Sequence, residues 1–94
     1  CLVVGWPDNR SCENLVACCW KGGEERRLVV VNLSGAPAQG RLRVPWDELA
    51  GSDWRLAEML GTDVFVRSGD EMRGAGMYVE LSPWGYHLLE CRRN

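Results

Sequence analysis

The run Leu28-Val29-Val30-Val31-Asn32-Leu33 decides the fold class of this chain. Its aliphatic side chains fall on both faces of an extended strand, because successive side chains of a strand point in opposite directions. Three of its six residues are valine, whose branched side chain favours strands. The run therefore predicts a central strand with apolar cover on both faces.

Other short runs of strand-forming residues flank this one, separated by Gly-, Pro- and Asp-containing turns. Strands at such short intervals are typical of sandwiches and barrels. We predict an all-β fold, an antiparallel Greek-key β-sandwich of seven or eight short strands. One helical turn is expected over residues 46–51, after Pro45. The further predicted strands span residues 15–20, 41–44, 54–60, 64–67, 77–81 and 86–91.

Alternation along these strands selects the side chains that face the core. Leu42 and Val44 share one face of their strand, and the flanking arginines take the other. Met77, Val79 and Leu81 likewise share one face. The predicted core consists of Leu28, Val30, Leu42, Trp54, Leu56, Met77, Val79 and Leu88.

Composition excludes several classes of function. Ninety-four residues make one domain with one modest core. A net charge of -2 argues against a nucleic-acid partner, and no apolar run is long enough to span a bilayer. Ten of the eleven basic residues are arginine, and we infer no site from them. The opening residue is not Met and no signal peptide precedes it, so we expect an excised or processed chain.

The five cysteines and the single histidine do not form a metal motif. No C-x-x-C is present, and we expect no metal and no cofactor. The thiols are predicted to be buried small hydrophobes without an internal disulfide, since their number is odd and the adjacent Cys18 and Cys19 face opposite ways. His87 is expected to be a hydrogen-bonded structural residue. Residues 9–11 and 32–34 match the glycosylation pattern, which we attribute to chance.

Five segments, in order, resemble the C-terminal β-domain of the α-amylase superfamily. They cover most of the chain, from about residue 15 to residue 90. Glu58, Phe65 and Leu89 depart from the family pattern, where Asp, Tyr and an aromatic residue are usual. The segments are LVVVNLS at 28–34, QGRLRVP at 39–45, WRLAEMLG at 54–61, VFVRSG at 64–69 and GMYVELSPWGYHLL at 76–89.

The resemblance implies a non-catalytic accessory domain that packs on a catalytic TIM barrel of the same chain and stabilises it. Residues 1–94 would form this domain, with residues 1–14 leading out of the barrel. The parent would be a bacterial, cytoplasmic glycoside hydrolase or a glucosyl or maltosyl transferase. A barrel needs about 250 residues and glycoside cleavage needs paired carboxylates, so no catalytic residue is carried over and no enzyme activity is expected of this chain.

The five tryptophans suggest where contacts form. Large rings dominate interfaces, so Trp6, Trp84 and Tyr86 are the candidate interdomain contacts. We expect Trp6 or Trp84 to be partly exposed in the isolated chain, or covered in a dimer. Trp46, in the turn after Pro45, is the candidate for stacking on an α-glucan. Two alternatives stay open, an independent carbohydrate-binding module and an unrelated β-sandwich interaction domain.

Overall fold

The computed structural model describes residues 1–94 and has eight strands, one short α-helix and two 3-10 turns. The helix, α1, spans Gly69–Arg73, and the turns span Ser11–Asn14 and Asp47–Leu49. No helix is long and apolar enough to cross a membrane. The strands are β1 Leu2–Val4, β2 Leu15–Gly22, β3 Glu25–Asn32, β4 Ala38–Arg43, β5 Asp53–Glu58, β6 Val64–Ser68, β7 Met77–Leu81 and β8 Tyr86–Arg93.

These strands form two antiparallel sheets packed face to face, so the predicted all-β sandwich is confirmed. The large sheet has the order β2-β3-β8-β5-β6, and the small sheet has the order β1-β4-β7. Two connections, β2–β3 and β5–β6, are hairpins within the large sheet. The other five cross between the sheets, as Greek-key connections do.

The core between the sheets contains seven of the eight predicted residues. Leu88 is the exception, because Leu88 pairs with Val29 on the outside of the large sheet, whereas Leu89 pairs with the buried Leu28. A shift of one residue moves every side chain of a strand to its other face. Leu88 and Leu89 are adjacent and both apolar, so the sequence alone did not reveal which of the two side chains faces the core.

The segment after β4 folds onto the end of the core. The predicted helical turn appears as the 3-10 turn Asp47–Leu49. Helix α1 was not predicted, because five residues are too few to show a helical period. Ser68 caps it by accepting a hydrogen bond from the N–H of Glu71. At Gly69 an added Cβ would lie only 1.7 Å from the carbonyl oxygen of Leu49, so the packing of α1 against this turn requires glycine.

The first residues belong to the sandwich itself. β1 pairs with β4 through Leu2, Val3 and Val4, and Val3 packs against the core. Residues 1–14 were expected to lead out of a barrel, and within them Leu2–Val4 form the third strand of the small sheet.

Candidate functional site

The outer face of the large sheet, which points away from the small sheet, is largely apolar. Cross-strand partners place their side chains on the same face, so the registers of the five strands define its members. We call this set the outer face. It comprises Val16, Cys18 and Trp20 of β2, Val29 and Val31 of β3, Leu88 and Tyr86 of β8, Ala57 of β5, and Val64 and Val66 of β6.

The rows of the outer face run unbroken across neighbouring strands. In one row Val16 pairs with Val31, which pairs with Tyr86. In the next, Cys18 pairs with Val29, which pairs with Leu88. Val16 and Tyr86 are 54% and 52% exposed, so solvent reaches this surface.

Arginines and glutamates appear only toward one end of the outer face. There Arg27 pairs with Glu90, and Arg55 pairs with Arg92. These two rows also contain Trp20, Ala57, Val64 and Val66, so Arg27 and Glu90 separate Trp20 from Ala57. The unbroken apolar rows therefore span β2, β3 and β8. An exposed apolar surface of this extent, rimmed by polar residues, is typical of an interaction site.

The opposite side of the molecule is polar. On the small sheet the outward residues include Arg41 and Arg43 of β4 and Tyr78 and Glu80 of β7. Trp6 covers part of this side, with its ring centroid 6.2 Å from that of Tyr78 and the guanidinium of Arg41 5.6 Å from its ring. The outer sides of the two sheets therefore differ, and the large sheet is the one with unbroken apolar rows.

The predicted contact residues lie in different places. Tyr86 is on the central strand of the outer face. Trp84 is 64% exposed in the turn just before it, so the expected exposure of Trp6 or Trp84 is met. Trp6 is half-buried on the opposite side of the sandwich. One flat partner surface cannot contact both Trp6 and Tyr86.

Trp46 does not have the exposed ring that stacking on a sugar needs. It is only 7% exposed and belongs to the core cluster. The 3-10 turn after it and helix α1 pack against each other and close this end of the core. The ring of Trp46 is therefore not accessible for stacking on an α-glucan.

His87 pairs with the buried Val30, so its side chain lies on the face of the large sheet that points toward the small sheet. Its Nδ1 contacts the carboxylate of Glu58, and its ring meets Phe65 edge-on with centroids 5.7 Å apart. Two of the three departures from the family pattern, Glu58 and Phe65, are thus its direct neighbours. A paired histidine held in this way fits the structural role expected of it.

The cysteines are free, but only Cys91 is buried, which corrects the expectation of five buried thiols. Cys1 and Cys18 are exposed, because Cys18 lies on the uncovered side of edge strand β2. Burial raises the pKa of the Cys91 thiol to about 12, which leaves almost no thiolate at neutral pH. The reactivity of the thiols should therefore differ widely.

We expect a chromogenic disulfide reagent at pH 8 to modify Cys1 and Cys18 rapidly and Cys91 last in the native protein. In denaturant all five thiols should react. Mass mapping of the labelled peptides over time gives the order. A total below five in freshly prepared protein, or early labelling of Cys91, would contradict the assignment.

Comparison with known proteins adds no identification. Neither the protein-family models nor the curated proteins contain a match to this chain.

Proposed function

We propose that this chain is a non-catalytic accessory domain of an α-amylase-family enzyme and that its outer face packs on the catalytic TIM barrel. The observation that carries the proposal is the pair of unbroken apolar rows that crosses β2, β3 and β8 on the outer face. A strand such as β3, apolar on both faces, is typical of a sheet covered on both sides. This chain covers only the inner side, so a partner surface supplies the second cover.

The size of the outer face favours an interdomain contact. Five strands spaced about 4.8 Å apart, with three outward rows, give the outer side of the large sheet an area of about 500 Å², which includes the charged row beside the two apolar ones. Covering it would bury about 1,000 Å² in total, counted on both partners, which lies within the range of interfaces between domains of one chain. Stable complexes of separate proteins usually bury more than about 1,200 Å². A dimer of the isolated chain through this face would therefore be weak.

The alternative of a carbohydrate-binding module has less support. The two most exposed tryptophans, Trp20 and Trp84, lie toward opposite ends of the large sheet. Trp20 is in the row of Glu90, about 13 Å along β8 from Tyr86, and Trp84 lies in the turn beyond Tyr86. They do not form a platform of neighbouring rings.

The proposed docking can be tested with the gene that encodes this chain. We expect the coding sequence upstream of residue 1 to encode a (β/α)8 barrel. In the protein containing both parts, Cys18 should be protected from a maleimide that labels it in the 94-residue chain. The absence of an upstream barrel, or equal labelling of Cys18 in both proteins, would disprove the proposal.

A matched pair of substitutions locates the contact. Tyr86 and Tyr78 are similarly exposed but lie on opposite outer faces. Tyr86→Ser should restore the labelling of Cys18 in the longer protein and lower the melting temperature of the barrel, because truncating a central aromatic anchor typically costs about 2 kcal/mol or more of contact energy. Tyr78→Ser should change neither. Equal effects of both variants would place the contact elsewhere.

The isolated chain should neither hydrolyse nor transfer α-glucosides, because the proposed role leaves the paired carboxylates to the barrel. Incubation with soluble starch or maltose should give no reducing sugar above the buffer blank. Titration with maltooligosaccharides should leave the tryptophan fluorescence unchanged. Saturable quenching would support the carbohydrate-binding alternative instead.

A further inference from the structure

Two of the five free cysteines, Cys1 and Cys19, are neighbours at one side of the sandwich. There β1, an edge strand of the small sheet, packs against β2, an edge strand of the large sheet. The backbone nitrogen of Cys1 lies 3.5 Å from Sγ of Cys19. The fold thus brings together two thiols that are 18 positions apart in the sequence.

Strand alternation directs both thiols toward the gap between the sheets. Val3 pairs with the buried Leu42, so it points inward, and Cys1, two residues earlier, lies on the same side of the chain. Cys19 pairs with the buried Leu28 and packs against the core cluster. Each sheet therefore contributes one inward thiol to this side of the sandwich.

The separation of the two backbones is close to that of a disulfide. The N–Cα bond of one cysteine and the Cα–Sγ span of the other extend the contact to at most about 8 Å between Cα atoms. Disulfides usually join Cα atoms about 4.4–6.8 Å apart, so closure requires a shift of about 1 Å at most. Cys1 precedes the first pair of the β1–β4 ladder, so this shift leaves the ladder intact.

The other three thiols cannot join this pair. Cys18 lies on the outer face of the large sheet. An added Cβ at Gly5 would lie 2.4 Å from Sγ of Cys12, which places that sulfur about 13 Å along β1 from Cys1. Cys91 is buried on β8, two strands or about 10 Å from β2. Only the first pair can bond without a rearrangement of the strands.

The two thiols also differ in access, because Cys1 is exposed and Cys19 is half-buried. A dissolved disulfide therefore reacts first at Cys1. With oxidised glutathione, Sγ of Cys1 attacks one sulfur and the first glutathione leaves as a thiolate. Sγ of Cys19 then attacks Sγ of Cys1, the protein disulfide forms and the second glutathione leaves. Two protein thiols are oxidised, and one glutathione disulfide is reduced to two thiols.

We propose that Cys1 and Cys19 form a disulfide in the presence of a small-molecule disulfide such as oxidised glutathione, and that this bond locks the small sheet to the large sheet. The proposal is independent of the docking on a barrel, because both thiols face the gap between the sheets and not the outer face. It adds a redox-dependent crosslink to a chain whose thiols are all free in the structure. The count of five thiols in reduced protein is unchanged.

Mass spectrometry of the 94-residue chain tests the pair. Dilute reduced protein is equilibrated with a mixture of reduced and oxidised glutathione, alkylated, and digested without reductant. Trypsin cleaves after Arg10 and Lys21, so we expect residues 1–10 to be disulfide-linked to residues 11–21. The number of free thiols should fall from five to three.

Adjacent cysteines of β2 supply matched variants. Cys19→Ser should abolish the linked peptides and leave glutathione attached to Cys1, because the thiol that displaces it is gone. Cys18→Ser removes a thiol from the opposite face of the same strand and should leave the linked peptides unchanged. Circular dichroism melts of the reduced variants establish that each is folded. Should Cys19→Ser fail to fold, Cys1→Ser decides the question, since it removes the other thiol of the pair.

The oxidised parent should melt about 10 °C above its reduced form, because the crosslink restricts the unfolded chain. Oxidised Cys19→Ser should show no such rise. The proposal is overturned if no linked peptide forms at any ratio of oxidised to reduced glutathione. Linked peptides that persist in Cys19→Ser, or that are lost equally in Cys18→Ser, would assign the bond to another thiol. A linked chain with an unchanged melting temperature would show that the bond does not lock the sheets.

Discussion

Replacing Trp54 by alanine should cost about 3–5 kcal/mol of folding free energy, the range typical of large aromatic side chains removed from a core. The ring is 2% exposed and lies in the core cluster between the two sheets. Its Nε1–H donates to the carbonyl oxygen of Leu49 at 3.2 Å, and Arg26 and Arg93 stack against it. The substitution removes the apolar contact, the hydrogen bond and both stacking contacts together.

Such a loss is a large share of the roughly 5–15 kcal/mol that stabilises a domain. For a chain of this size it corresponds to a fall in melting temperature of at least about 12 °C. Trp20→Ala is the matched control, since Trp20 is exposed on edge strand β2 and its loss should change stability by no more than about 0.5 kcal/mol. Urea titration of the three proteins measures the difference. Equal midpoints for Trp54→Ala and the parent would show that this core assignment is wrong.

Asn32→Leu should destabilise the protein by about 3 kcal/mol or more, although leucine is larger and more hydrophobic. Asn32 is fully buried, and its Nδ2 donates to the carbonyl oxygens of Ala36, Leu81 and Ser82. Its Oδ1 accepts from the backbone N–H and the hydroxyl of Ser34. One side chain thus ties β3 to the loop that follows it and to the end of β7.

Leucine at this position would remove all five hydrogen bonds of a fully buried amide, including the acceptor for the Ser34 N–H, and each such bond typically contributes about 1 kcal/mol. Asn14→Leu changes an exposed asparagine and should be nearly neutral. Thermal unfolding followed by circular dichroism compares the two. The same burial means that Asn32 cannot be glycosylated in the folded chain, and a variant as stable as the parent would disprove its bridging role.

The alternation of apolar residues determined most of the strands and most of the core. It succeeded where one face of a strand is polar, as at Leu42 between Arg41 and Arg43. There only one of the two faces can point toward the core. It failed at β8, where Leu88 and Leu89 are both apolar. There the pairing with β3 decides the phase, and that pairing depends on residues far away in the sequence.

The candidate contact surfaces also divide into what the sequence indicates and what only the fold decides. The sequence indicated that β3 is apolar on both faces and made Tyr86 and Trp84 candidate contact residues, because side-chain type and spacing are local properties. Only the tertiary structure showed that the outer face is left uncovered, that Trp6 lies on the opposite side and that Trp46 is buried. It also gave Asn32 its hydrogen-bond partners. These features arise from strand order and sheet packing, which join residues that are distant along the chain and that no local pattern relates.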